Sequence, residues 1–139
     1  MSTTNPERLR DAHDAFNRRD LDAFVALADP EIEISPLIVH LEGITAYRGV
    51  DGVRQWWSDM LDVFADARTE LDDTLELGDV TVGYGRLQGH GGESDAFFNR
   101  ATFQVVEWRN GRVLWWRTFL TEAEALEAAE SRRGRAGLV

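Results

Sequence analysis

The sequence predicts an α+β domain in which N-terminal helices cover one face of a curved, mainly antiparallel sheet. Three observations predict it. Helical spacing of apolar residues dominates the first half of the chain, four strand-textured segments follow from about Ala67 to Leu120, and "RNGR" (109–112) marks a two-residue hairpin because both its central positions tolerate positive φ.

The elements follow in chain order. Asn5-Pro6 reads as an N-cap with proline at the first helical position, and Leu9, Ala12, His13 and Phe16 recur at helical spacing until "NRRD". Asp20 is placed to cap a short second helix with the inner stripe Leu21, Phe24, Val25 and Ala28, closed by Asp29-Pro30. "EIEIS" alternates in period two with Ile32 and Ile34 on its buried side, and stops at Pro36. Residues 37–49 lack a period and contain Gly43 and Gly49, so a loop with short strand content is expected. From Asp51 the residues Val53, Trp56, Trp57, Met60, Leu61 and Phe64 form an amphipathic stripe that needs a broad packing partner. "RTELDDTLEL", "VTVGYGRLQG", "AFFNRATFQVVEW" and "RVLWWRTFL" are strands, separated by Gly78-Asp79, a glycine-rich stretch and Asn110-Gly111. Thr121 and Glu124 make a capping box for a last helix, "EAEALEAAE", and "SRRGRAGLV" is expected to fray.

At 139 residues the chain suits one domain over 1–139, with an ordered core from about 5 to 130. The absence of cysteine excludes disulfides, thiolate metal sites and cysteine nucleophiles. All 15 basic residues are arginine, which excludes a Schiff-base lysine and fits a GC-rich bacterial genome. A net charge of −10, with eight acids against Arg68 alone between Asp59 and Asp79, would repel nucleic acid. No apolar run approaches the roughly 18–20 residues needed to cross a bilayer, and no signal peptide pattern opens the chain, so a cytoplasmic protein is expected. The histidines are not grouped at ligand spacing, so neither a metal nor another cofactor is implied.

"AFNRRDLDAFVALADPEIEI", "YRGVDGVRQWWSDM" and "GRVLWWRTFLTEAEALEAAE", in that order, resemble the SnoaL-like branch of the NTF2-like superfamily, named for polyketide cyclases, over roughly Pro6 to Glu130. The resemblance implies a cystatin-like cone: a curved sheet wrapped around a pocket that the helices close, with homodimerisation through the outer sheet face. It does not fix an activity, since this fold hosts unrelated enzymes and non-catalytic members.

Acids known from relatives are missing at the corresponding positions. Ser35, before Pro36, stands where a ketosteroid isomerase would carry its aspartate base, and Ala12 where its oxyanion tyrosine would be. Tyr84 and Arg86 occupy the paired strand positions, and Thr118 the last-strand position, of the Asp-Arg-Asp set of limonene-epoxide-hydrolase relatives. Catalytic candidates are therefore His13, on the inward stripe of helix one, as general base, with Tyr84 or Arg86 polarising an oxygen. Tyr84, Arg86 and Gln88 share one face, which period two alone leaves as either inner or outer.

Ser35, His40, Trp56, Gln104, Trp116 and Thr118 are candidate ligand contacts. His40 lies in the expected mouth loop, Gln104 shares a face with Val106 and Trp108, and Trp56 and Trp57 straddle their helix stripe so that one is core and the other can line a cavity. By parity with Thr118, Trp116 faces inward, while Trp115, Arg117 and Phe119 face outward toward a dimer partner. Two functions stay open. One is a small, largely apolar molecule handled by a cofactor-free isomerase, cyclase or hydratase; the other is a non-catalytic binding or assembly module.

Overall fold

The computed structural model describes residues 4–35, 46–91 and 96–133. Among these, the elements run α1 (Asn5–Asn17), α2 (Leu21–Ala26), β1 (Ala28–Ser35), β2 (Tyr47–Arg48), α3 (Gly49–Val63), β3 (Arg68–Leu77), β4 (Val80–Gly91), β5 (Ala96–Arg109), β6 (Arg112–Phe119) and α4 (Glu122–Arg133). The strands form one sheet in the order β2-β1-β6-β5-β4-β3. Every neighbouring pair is antiparallel except β1 with β6, which are parallel. Register shifts between Ala28 and Glu33, Leu71 and Asp73, and Glu107 and Trp108 bend the sheet, since an unpaired residue adds local twist and curvature.

Local chemistry explains where the elements start and stop. Thr4, rather than Asn5, caps α1, its hydroxyl accepting from Glu7 N at 3.2 Å. Asp20 caps α2 through Ala23 N at 3.1 Å. This helix ends earlier than its apolar stripe suggests, because Ala28, Asp29 and Pro30 belong to β1. The Asp29 carboxylate is the reason: it takes Arg109 Nη2 at 2.7 Å and Glu31 N at 2.8 Å, which fastens the strand start to the end of β5. Pro30 falls in the irregular part of the β1–β6 pairing, where no ladder donor is required. Asn110 and Gly111 both have positive φ, 53° and 76°, as a two-residue hairpin turn demands.

Both faces of the sheet are covered. On the concave face, α1, α2 and α3 bury Leu9, Phe16, Phe24, Val53, Trp57 and Met60 against Ile32, Ile34, Val106 and Trp116. On the outer face, Ala125 and Ala129 of α4 pack on Val80, Val82, Val105 and Trp115. The N-terminal helices thus cover one face, as expected, and the last helix adds a second layer on the other. Small side chains one turn apart let α4 lie close to the strands, and the helix continues to Arg133, past the expected fraying point. Arg132 secures it, its guanidinium lying 4.2 Å over the Trp115 ring and 2.8 Å from Glu107 Oε1. No helix among the described residues is long and apolar enough to cross a membrane.

Candidate functional site

Period two and pairing register fix which side chains reach the concave side. Ile34 pairs with Trp116, and Gln104 with Thr118, so Ile34, Gln104, Trp116 and Thr118 share the inner face. Gly83 pairs with Gln104 and Gly85 with Thr102, which puts Thr81, Gly83, Gly85 and Leu87 of β4 on that face as well. The helices close over it to leave a cavity of about 60 Å³. At a minimum of roughly 10–15 Å³ per water that is room for at most about five waters.

The aromatic and aliphatic part of the lining is Phe16, Phe24, Ile34, Trp56, Met60, Leu87 and Trp116, and the polar part is His13, Thr69, Thr102, Gln104 and Thr118. Phe24 and Trp56 stack at 5.4 Å with their planes 29° apart, and Phe24 lies 5.9 Å from Trp116. The bare backbone of β4 lets α1 descend onto the sheet. A Cβ at Gly83 would come within 3.0 Å of Leu9 Cδ2 and 3.1 Å of Leu71 Cδ1. This close approach carries His13 to the far wall.

There His13 Nε2 lies 2.6 Å from Gln104 Oε1, and Nδ1 lies 3.0 Å from Thr69 Oγ1. Asn17 holds β3 in place for this contact, donating from Nδ2 to Thr69 O at 2.9 Å and accepting from Thr69 N at 3.0 Å. With the Gln104 carbonyl oxygen as acceptor, the Nε2–H tautomer satisfies both contacts: His13 donates to Gln104 and the Thr69 hydroxyl donates to Nδ1. The ring is neutral at ordinary pH. Burial pushes its pKa down to about 4, outweighing the upward pull of the Gln104 hydrogen bond and of Asp14, while Arg10 acts in the same direction as burial.

Three other polar groups on the wall remain available. Among the described residues, the Thr102 and Thr118 hydroxyls and the Gln104 amide nitrogen have no side-chain hydrogen bond, yet none is sealed from the cavity as a buried orphan. Trp56 Nε1 is buried without a hydrogen-bond partner among the described residues.

His13, Trp56, Gln104, Trp116 and Thr118 are thus brought together, with Trp57 in the core as its neighbour's counterpart. Three expected site residues lie elsewhere. Ser35 pairs with Arg117 on the outer side of the sheet, because the strand places Ile34 inward and its successor outward. Tyr84 is also on the outer face, edge-on to Phe103 at 5.8 Å, with its hydroxyl pushed upward in pKa by burial and then by the Glu122 carboxylate. Arg86 donates from Nε to Asn99 Oδ1 at 2.7 Å in an exposed position on that face. Neither Tyr84 nor Arg86 can polarise a guest in the cavity. His40 lies outside the described residues.

Trp115, Arg117 and Phe119 face outward as parity requires, but Trp115 is buried by α4 and donates to Glu33 Oε2 at 3.1 Å. It is therefore not available to a partner chain. Thr69 and Thr102 are site residues that sequence reasoning missed. Thr69 shares parity with Leu71, which packs into the concave core, and Thr102 shares parity with Gln104; those were the signals on offer.

The family model for the SnoaL-like domain matches residues 9–116. A comparison with curated protein sequences gives no match. Among solved structures, an NTF2-like protein from Burkholderia pseudomallei superposes with a TM-score of 0.77 at 21% identity, covering 91% of this chain and 97% of that one. TerC co-crystallised with polyporic acid gives 0.75 at 16% identity, covering 91% and 98%. A protein of ketosteroid isomerase-like fold from Catenulispora acidiphila, in complex with trimethylamine, gives 0.74 at 12% identity, covering 91% and 95%.

Proposed function

This chain belongs to the SnoaL-like domain family, and from that premise we propose that it binds a small, largely apolar organic molecule in the cavity between α1–α3 and the sheet. The observation that carries the reading is an aromatic lining of Phe16, Phe24, Trp56 and Trp116 beside the Thr102 and Thr118 hydroxyls and the Gln104 amide nitrogen, none of which has a hydrogen-bond partner among the described residues. Ligand pockets combine an apolar lining with a few convergent polar groups in this way. Polyporic acid on TerC and trimethylamine on the Catenulispora protein are small organic guests of the same fold. The test is a screen of small aromatic compounds by tryptophan fluorescence, with Trp56 and Trp116 as reporters, on the native chain and on Thr118→Phe. The bulky variant is expected to lose the response; unchanged binding would place the guest elsewhere.

A second reading, cofactor-free acid/base chemistry with His13 as base, is favoured by one further distance. Thr69 Oγ1 also lies 3.4 Å from Arg86 O, so its hydroxyl has a second acceptor, and a substrate proton donor that displaces the Thr69 side chain from Nδ1 meets the ring lone pair there. With Tyr84 and Arg86 on the far face, the Gln104 amide and Thr118 hydroxyl take over the polarising role. The check is the pH–rate profile of His13→Ala on any compound found to turn over. Unchanged turnover eliminates the base.

The protein is further taken to be cytoplasmic and homodimeric, through the part of the outer face that α4 leaves open, around Arg117 and Phe119. Light scattering behind size exclusion at micromolar concentration tests the dimer. A monomer would refute it.

A further inference from the structure

We infer that the cavity selects an uncharged ring compound carrying a hydroxyl or carbonyl oxygen on one edge, and excludes ionised acids of the same shape. This rests on the binding function proposed above and narrows its ligand class.

The first observation is the absence of charge. No Asp, Glu, Arg or Lys lines the cavity among the described residues, and its one titratable side chain, His13, has both ring nitrogens engaged by Thr69 and Gln104. A buried carboxylate would find no counter-ion there, and the cost of stripping its water without a partner is several kcal/mol. The net charge of −10 disfavours anions at longer range as well.

The second observation is where the free polar groups sit. Gln104 and Thr118 are direct partners across β5 and β6, and Thr102 is the next inward position along β5. Cross-strand partners stand about 5 Å apart and same-face neighbours about 7 Å, so the three line one side of the cavity within reach of a single oxygen-bearing edge. The Gln104 NH₂ donates, and each threonine hydroxyl donates or accepts. The helix side, where Phe24 of α2 stacks on Trp56 of α3, offers flat apolar surface to a ring face. A volume of about 60 Å³ is smaller than the roughly 150 Å³ of a cavity that encloses benzene, so it takes the oxygen-bearing edge of a ring while the rest of the guest extends toward the cavity mouth.

The experiment uses the full chain at pH 7.5 and three probes of nearly one shape: 4-propylphenol, propylbenzene and 4-propylbenzoate. Binding is read from ligand-detected NMR and from the indole N–H shifts. The phenol is expected to bind roughly three- to tenfold more tightly than propylbenzene, and the benzoate at least about a hundredfold more weakly than the phenol. Thr102→Val with Thr118→Val, which leaves the His13–Gln104 contact in place, is expected to erase the advantage of the phenol without weakening propylbenzene.

Benzoate binding equal to the phenol would overturn the charge exclusion, and an unchanged phenol advantage in the double variant would overturn the role of the threonines. Both results leave the proposed binding function standing. If none of the three probes binds, that function fails and the selectivity with it.

Discussion

Burial of His13 makes the stability of this fold depend on pH in a way that one substitution isolates. The folded-state pKa is pushed from 6.5 to about 4. The unfolded chain therefore binds a proton that the native chain refuses between those values, so stability is full above about pH 6.5 and is lost as pH falls toward 4. One pKa unit corresponds to about 1.4 kcal/mol, so the full span is worth about 3 kcal/mol. Between pH 7.5 and 5.5, where the chain stays away from its pI, the linkage relation gives a loss of about 1 kcal/mol.

The assay is urea unfolding followed by tryptophan fluorescence, at several pH values, for the native chain and for His13→Gln. Other titrating groups, including the Asp66–His90 pair, are common to both proteins and cancel in the difference. The difference between the two stabilities is expected to shrink by about 1 kcal/mol from pH 7.5 to 5.5. A difference that does not change with pH would show that His13 is not held neutral by burial, and would refute the reasoning.

Gln104→Glu should raise the His13 pKa from about 4 toward neutrality, since a charge contact at about 4 Å and an effective dielectric near 20 is worth about 4 kcal/mol, or about three pKa units; the histidine Cε1–H shift followed through an NMR titration reads it directly. Arg132→Ala should cost about 3 kcal/mol by leaving Glu107 buried beside Trp115 without its cation, with α4 amides losing hydrogen-exchange protection before those of β5. Gly83→Ala should destabilise by about 1–3 kcal/mol, because its Cβ would press on Leu9 and Leu71, and Leu71→Ala in the same chain should recover part of that loss in thermal melts.

Much of this arrangement was legible in the residues. The strand parity of "GRVLWWRTFL" sends Trp116 and Thr118 to the cavity and Trp115 to the other face, because adjacent residues on one strand cannot share a side. The inward stripe of α1 likewise places His13 correctly. What could not be read was the face of β4.

Its outward positions carry Val80, Val82, Tyr84 and Arg86, while its inward ones carry Thr81, Gly83 and Gly85, so the bulk lies on the side away from the cavity. The usual inference from side-chain size to burial fails there for a physical reason. The inner side of β4 receives a helix against bare backbone, and the outer side receives α4, whose position depends on contacts far apart in the chain. The early end of α2 was hidden similarly, since Asp29 joins β1 through Arg109, 80 residues away.

The parallel pairing of β1 with β6 also sets the order in which this protein can be made. The first strand has β2 and the last strand as its sheet neighbours, and His13 meets Gln104 across 91 residues of sequence. On the ribosome, α1, α2, β1 and α3 must therefore wait, apolar faces uncovered, until β5 and β6 have emerged. Closing such long loops is slow, so the rate-limiting step of folding should be docking of the helical half onto a meander of β3 to β6 already formed. The cavity then exists only after the last strand is in place.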